Sequence, residues 1–305
     1  TAPFRSTFRV VCTIIPPLPM VALLLRRQYK ALTENALAAA ATLCVVVLLY
    51  LLAGDYLQWC VLGIGTYGLY SWAQDLSQTD KPTFGLMFRS SAFLWCVFGF
   101  CSINFFAYGL GVWLPSFFIR VHQLSPGDVG KIVGLSVAIG GGIGINLGGW
   151  LADKRRARSE SGRIDFSILT LMLTIPAAVL MFLTSSVVLA VGLTVVVAAL
   201  TTMWVGPATS TLADLVLPRM RATAAAVYFL LNVLLGLALG PYFIGLFSDM
   251  AMASGSSPAS SLRWAMVASV FSYAVPILCL TRARMLLGDA ERSCTERAVA
   301  AGEAL

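Results

Sequence analysis

Charged residues fall along this 305-residue chain at wide intervals, and the stretches between them are apolar. No Asp, Glu, Lys or Arg stands between Glu34 and Asp55, Asp55 and Asp75, Arg89 and Arg120, Lys131 and Asp153, Arg221 and Asp249, or Arg263 and Arg282. A hydrocarbon core of about 30 Å takes roughly 20 residues of helix, so each interval predicts one membrane-spanning helix. The interval from Asp165 to Asp214 is too long for one helix and breaks at Thr184-Ser185-Ser186, which predicts a tight hairpin of two spans. The total is eight spans, the first two at 36–54 and 56–74. The run from Val10 to Leu25 is shorter and carries Pro16, Pro17 and Pro19, each lacking a backbone donor, so it reads as a doubtful span or as a re-entrant or interfacial piece. From Arg282 onward, Arg284, Asp289, Glu291, Arg292, Glu296, Arg297 and Glu303 predict a short solvated tail.

Composition turns this pattern into a class. Hydrophobic residues make up 58% of the chain and charged ones 11%, and the mean hydropathy is +0.84. Soluble domains run near a quarter charged, so most of this chain faces lipid or other apolar helices. The reading is an all-α, polytopic transmembrane helical bundle, integral to a cell or inner membrane, with the lipid bilayer as its surroundings. A net charge of +7 spread over short loops suits orientation by positive loops and argues against nucleic acid as a partner. The seven cysteines, at 12, 44, 60, 96, 101, 279 and 294, form no C-x-x-C pair and read as small buried hydrophobes; neither metal nor cofactor is called for. No secretory signal is visible, and a chain starting at Thr1 is expected to be a fragment or a trimmed form.

The bases also predict orientation. If the loop at Lys154 is cytoplasmic, alternation puts Arg26-Arg27-x-x-Lys30, Lys81 with Arg89, Arg219 with Arg221, and Arg282 with Arg284 on the same side. The opposite loops are poorer in bases, and the carboxyl terminus is then cytoplasmic.

The sharpest motif is Gly149-Trp150-Leu151-Ala152-Asp153-Lys154-Arg155-Arg156-Ala157-Arg158, where an apolar, glycine-rich run ends in an acid and four bases. Its order, Gly-x-Leu-Ala-Asp-Lys, resembles the signature loop of the major facilitator superfamily, which lies between the second and third helices and again, more weakly, between the eighth and ninth. Arg156 stands where that family usually has Gly. Tyr108 to Pro115, Leu124 to Gly130, Leu217 to Ala222 and Gly240 to Asp249 resemble later blocks of spinster-like and organic-anion members, in the right order. The resemblance implies that 92–284 is the six-helix carboxyl bundle of such a transporter. It further implies that 31–75 holds two helices of the amino bundle, 76–91 a cytoplasmic connecting loop, 285–305 a cytoplasmic tail, and 1–30 an unassigned apolar and basic segment. Because the two halves of the fold are repeats, 93–281 as the first half is the alternative; two spans ahead of it weigh against that.

In such transporters the loop works as a gate: the Asp153 carboxylate pairs with bases and faces a neighbouring helix's positive end. The gating candidates are Gly149, Asp153, Lys154, Arg155 and Arg158, against the alternative that the bases are topology anchors. Gly140, Gly144 and Gly148 share one helical face and predict close helix packing, as do Gly236 and Gly240 with Pro241, a pair that also predicts a kink. Polar groups at lipid depth are costly, so Asn104, Tyr108, Asn146, Trp204, Tyr228 and Asn232 are candidates for a solute path or equally for interhelical bonds. Asn104 and Tyr108 lie one turn apart, as do Tyr228 and Asn232. Arg120, beside His122 at the outer end of a span, is a further candidate for attracting an anion.

No acid or base lies in the middle of a predicted span, so the coupling ion is left open. An intramembrane enzyme needs converging acids, bases or nucleophiles, and one loop His with no buried carboxylate pair does not supply them. The expected function is secondary transport of a small organic solute by alternating access, with an organic anion or lipid-like molecule suggested by the resemblance; a truncated membrane scaffold or remnant is the alternative. The topology is directly testable. Single cysteines at Ser159 and Gln123, in a cysteine-free background, should label from opposite faces of the membrane with an impermeant thiol reagent; labelling from one face overturns the arrangement.

Overall fold

Wherever the sequence leaves about twenty residues without a charge, the chain is helical. The structure is a computed structural model that describes residues 18–25 and 27–303, and among these no strand occurs. The first half of the run from Val10 to Leu25, Cys12 included, lies outside the described residues together with Arg26; its second half is helix α1, Leu18–Leu25. The chain divides into two compact units, residues 1–85 with 297–305, and 86–296.

In the first unit, α2 (Tyr29–Ala53) and α3 (Tyr56–Thr79) form a hairpin closed by Gly54 and Asp55, both at positive φ. The most apolar stretch of α2 is exposed along its whole length, with Leu51 and Leu52 at 71% and 76% exposure, which suits a lipid-facing helix and no aqueous surface. The hairpin is held by polar groups that sequence reading passed over. Asn35 is wholly buried and donates to Ser71 Oγ at 3.2 Å and Gln74 Oε1 at 2.9 Å, while the Tyr67 hydroxyl donates to Asn35 Oδ1 at 2.6 Å. Gln74 Nε2 in turn donates to the Ala31 carbonyl at 2.9 Å. Each member serves another, so the network fixes the register of two helices rather than offering groups to a ligand.

The 76–91 segment, expected as a loop, instead contains α4, Lys81–Phe88, with Thr83, Leu86 and Met87 buried. Apolar residues at 84, 86, 87 and 88 give it a face to pack, which the family resemblance alone does not reveal.

The second unit holds α5 (Ser91–His122), α6 (Pro126–Arg156), α7 (Gly162–Leu183), α8 (Val187–Asp214), α9 (Pro218–Ala253) and α10 (Pro258–Arg292). Serines start four of them: Ser90, Ser125, Ser186 and Ser257 each accept from the backbone N–H three residues on, and Pro126 and Pro258 occupy the first helical turn, where no donor is needed. The hairpin break at 184–186 falls where the sequence predicts it. Seven described helices, α2 and α5 to α10, are long and apolar enough to cross a membrane, against eight expected. The difference is α3, which has the length but spreads Gln58, Thr66, Ser71, Gln74 and Asp75 along it.

Three of these helices are interrupted: α8 by a turn at 201–204, α9 by a π-helical turn at Val233–Leu237, and α10 by a 3-10 turn at Phe271–Tyr273. Each interruption meets the carbonyl that a proline four residues later leaves without its donor, Met203 before Pro207, Leu237 before Pro241 and Ser272 before Pro276. Pro115 and Pro176 sit in unbroken helices, so proline permits the break and the packing partner selects it. The expectation of a solvated tail beyond Arg282 is also corrected. α10 continues to Arg292 and α11 covers Cys294–Ala300, with Leu287, Cys294 and Ala298 buried, because apolar residues at 286, 287, 294 and 298 recur at helical spacing among the charges.

α6 and α8 meet backbone to backbone in the second unit. A Cβ on Gly140 would overlap the Val195 carbonyl, on Gly144 the Ala199 carbonyl and Thr202 hydroxyl, and on Gly148 the backbone of Met203, whereas Gly142 faces open space. Gly144→Val should therefore lower the thermal stability of the detergent-solubilised protein by about 3 kcal/mol or more through overpacking. Gly142→Ala should leave it unchanged or slightly raised, since Ala is the better helix former. A Gly144→Val protein that melts like the parent would show that the two helices do not meet at this row.

Candidate functional sites

Two groups of residues in the second unit carry chemistry: a charge network at one end of the helices and a polar stripe between α5 and α9.

The charge network is built by four helix ends. Asp153 closes α6, Arg163 and Asp165 open α7, Asp214 closes α8, and Arg284, Glu291 and Arg292 lie in the last turns of α10. Asp153 and Asp214 both sit at the negative ends of their helices, where a carboxylate needs a cation. Arg163 supplies it to both: its Nε donates to Asp153 Oδ1 at 3.0 Å, and its Nη1 lies 2.6 Å from Asp214 Oδ2. Arg163 is 18% exposed, Asp214 34% and Asp153 65%, so one arm of the bridge is shielded and the other wet. Arg156 reaches Glu291 and the Glu160 carbonyl. Arg284 Nε lies 2.8 Å from Asp165, which also accepts from the Ser161 hydroxyl at 2.9 Å, and Arg292 bridges Glu160 and Asp289.

Of the gating candidates read from sequence, Asp153 lies in this network and Gly149 lies beside α8, where a Cβ on Gly206 would touch its Cα. Lys154, Arg155 and Arg158 make no ion pair among the described residues; Lys154 sits over the Trp150 ring at 5.1 Å. The pairing is done instead by Arg163 and by Arg156, the residue that departs from the family pattern. Arg163, Asp214 and Glu291 were missed because they lie outside the Gly149–Arg158 motif, 10, 61 and 138 positions from Asp153. The available signal was that each lies in or next to a loop or tail that the base distribution puts on the same side as Asp153.

The polar stripe is a close crossing of α5 over α9. A Cβ on Gly236 would come within 2.7 Å of both Asn104 and the Tyr108 ring, and one on Gly240 would overlap the Phe105 carbonyl. Trp113 Nε1 donates to the Pro241 carbonyl at 2.8 Å, and Cys101 Sγ approaches the Tyr228 carbonyl at 3.5 Å. Asn104, Tyr228 and Asn232 are thus buried at a helix junction, and Tyr108 is half-buried. Trp204 is buried too, stacked on Phe100 one turn before Asn104. Asn104 Nδ2, Asn232 Oδ1 and Trp204 Nε1 are sealed from solvent with no hydrogen-bond partner. Asn146 stands apart, exposed and bonded to its own helix at the Gly142 carbonyl, and Arg120 is exposed at the far end of α5. Among the described residues no three His, Cys, Asp or Glu side chains cluster as metal ligands.

Exposed apolar helices, present in each of the two units, define an integral, multi-pass membrane protein of helical-bundle type. The Major Facilitator Superfamily profile matches residues 4–241, more than half of the chain, and the chain belongs to that family. It is 31% identical over 163 residues to an MFS-type efflux pump of Mycolicibacterium smegmatis, a match that covers 53% of this chain and 38% of that protein. The chain thus spans well under two thirds of that relative's length. Its fold is similar to the crystal structure of a bacterial homologue of the human lysosomal transporter Spinster, inward-facing and occupied, with TM-score 0.60 and 22% identity over 85% of this chain and 67% of the other. The unoccupied inward-facing form gives TM-score 0.55, with 21% identity over 86% of this chain and 66% of the other.

The unequal shielding of the Arg163 bridge predicts unequal costs. Asp153→Asn should change stability by less than about 0.5 kcal/mol, as exposed ion pairs do. Arg163→Gln, which strips the counter-ion from both acids, should cost about 1–3 kcal/mol. In thermal melts the double variant should cost less than the sum, because the two residues share one interaction; strict additivity would mean that they do not.

Proposed function

We propose that this chain is the part of a secondary transporter that moves a small organic solute by alternating access, with its solute path along the α5–α9 junction. The observation that carries the reading is the set of buried, partnerless polar atoms on Asn104, Asn232 and Trp204. A donor or acceptor sealed from water without a partner is costly, and a solute or bound water in an opened junction removes that cost. The adjoining π turn at Val233–Leu237 has a looser hydrogen-bond ladder than an α-helix, which suits an element that shifts. The Asp153–Arg163–Asp214 bridge would act as a gate that holds three helix ends together on the cytoplasmic side. Membership of a transporter family, an efflux pump among the relatives and a Spinster homologue among similar folds support transport over a scaffolding role. An organic anion or lipid-like solute is favoured by the same likeness, and the coupling ion is left unassigned.

Cysteine accessibility tests path and gate without knowledge of the solute. In the cysteine-free protein in membranes, Asn104→Cys and Asn232→Cys should react with a small charged methanethiosulfonate, since the junction opens during the cycle. Adding Asp153→Asn should change those rates several-fold while the melting temperature moves little, because weakening a gate shifts the balance of states. Unreactive cysteines at both positions in a folded protein would assign the stripe to packing. Reaction rates indifferent to Asp153→Asn would leave Asp153 a boundary residue.

A further inference from the structure

The three bases that the charge network leaves over stand at the mouth of an apolar groove. Lys154, Arg155 and Arg158 line one end of a cavity of about 440 Å³ between α6, α7 and α8, whose walls are Leu151, Phe166, Leu169, Leu173, Leu200 and Met203, with Thr170 among them. Leu169 and Leu173 are 37% and 49% exposed, so the groove opens sideways from the helices, toward the bilayer, and not into the α5–α9 junction. We propose that this groove binds one anionic phospholipid, its phosphate on the three bases and an acyl chain along Leu169, Leu173 and Leu200.

Charge accounting is the first support. Asp153 is bound to Arg163, Glu160 to Arg292 and Asp165 to Arg284, while Arg156 is spent on Glu291. Every acid near the loop is held by a base other than these three, with Arg163 and Arg292 serving two acids each, so Lys154, Arg155 and Arg158 stand at the groove mouth with no carboxylate among the described residues in ion-pairing distance. Surface bases near a membrane attract anionic headgroups, and long basic side chains at a helix end reach to the level of the phosphates. Geometry is the second support. A Cβ on Gly162 would overlap the Arg155 carbonyl, and Arg156 is tied to the Glu160 carbonyl, so the turn from α6 to α7 is closely packed and presents the bases from a defined frame. Trp150, 60% exposed under the Lys154 ammonium, has the placement of an interfacial aromatic. A water-soluble anion would use the bases alone, whereas the groove matches a headgroup with a chain attached.

The test is native mass spectrometry of the purified protein from micelles doped equally with palmitoyl-oleoyl phosphatidylglycerol and the phosphatidylcholine of the same chains. One phosphatidylglycerol per chain should be retained, at least tenfold over phosphatidylcholine. The variant Lys154→Gln/Arg155→Gln/Arg158→Gln should lose that preference, and Leu173→Trp, which fills the groove but keeps the bases, should weaken retention several-fold. Arg120→Gln with Lys131→Gln, at the other ends of α5 and α6, should retain the lipid, and glycerol 3-phosphate should not displace it. Should the triple variant misfold, Arg158→Gln alone, exposed in the turn, reads the same loss in smaller measure. Equal retention of the two lipids, retention by a folded triple or Arg158→Gln variant, or displacement by glycerol 3-phosphate would each overturn the proposal.

Discussion

Backbone-to-backbone contact at glycine is the constraint on which the second unit depends. In lipid, helices gain little from hiding apolar surface from each other, since the tails are as apolar as leucine, and association rests on van der Waals packing and hydrogen bonds. Glycine rows at Gly140, Gly144 and Gly148 on α6, and at Gly109, Gly236 and Gly240 across α5 and α9, bring main chains close enough for that packing. The interruptions of α8 and α9 meet these rows: Met203 lies under Gly148, and the π turn contains Gly236. A break in the hydrogen-bond ladder is tolerated there because a neighbouring backbone, not lipid, covers it.

The same close packing gathers the ionic network. With α6, α7, α8 and α10 held side by side, their ends carry Asp153, Arg163, Asp214 and Glu291 into one layer, where each acid meets a base from another helix. All three of those acids sit at helix ends that disfavour them, so the bases are needed for reasons local to each helix as well as for joining helices. Arg156 illustrates the point. A side chain unusual for this position of the family's loop finds Glu291 on the last long helix, and the loop is tied to α10 by a contact a glycine would not make.

Polar groups at depth divide into two kinds that look alike in one dimension. Asn35 and Asn104 both interrupt apolar runs. Asn35 finds Ser71, Gln74 and Tyr67 and closes a hairpin, while Asn104 meets Gly236, which has nothing to bond. Only the first is satisfied, and the difference lies wholly in what the neighbouring helix presents.

What the sequence determined alone was whatever depends on one helix at a time. Spacing of charges set the spans and the 184–186 turn, serine and proline set the helix starts, and the glycine period marked a face for close approach, because solvation, capping and sterics act within a few residues. It failed at α4 and beyond Arg282, where buried apolar residues outweighed the charges around them, while α3 is a helix where the charge spacing predicts one, though scattered amides leave it no stretch as apolar as those of the seven other long helices. Tertiary structure decided which groups meet: that Arg163, not Lys154, serves Asp153, that Arg156 serves Glu291, and that Lys154, Arg155 and Arg158 are left over. Ion pairs and hydrogen bonds act over about 3 Å, and which side chains come within that reach across sequence gaps of 10 to 135 residues is fixed by how the helices pack.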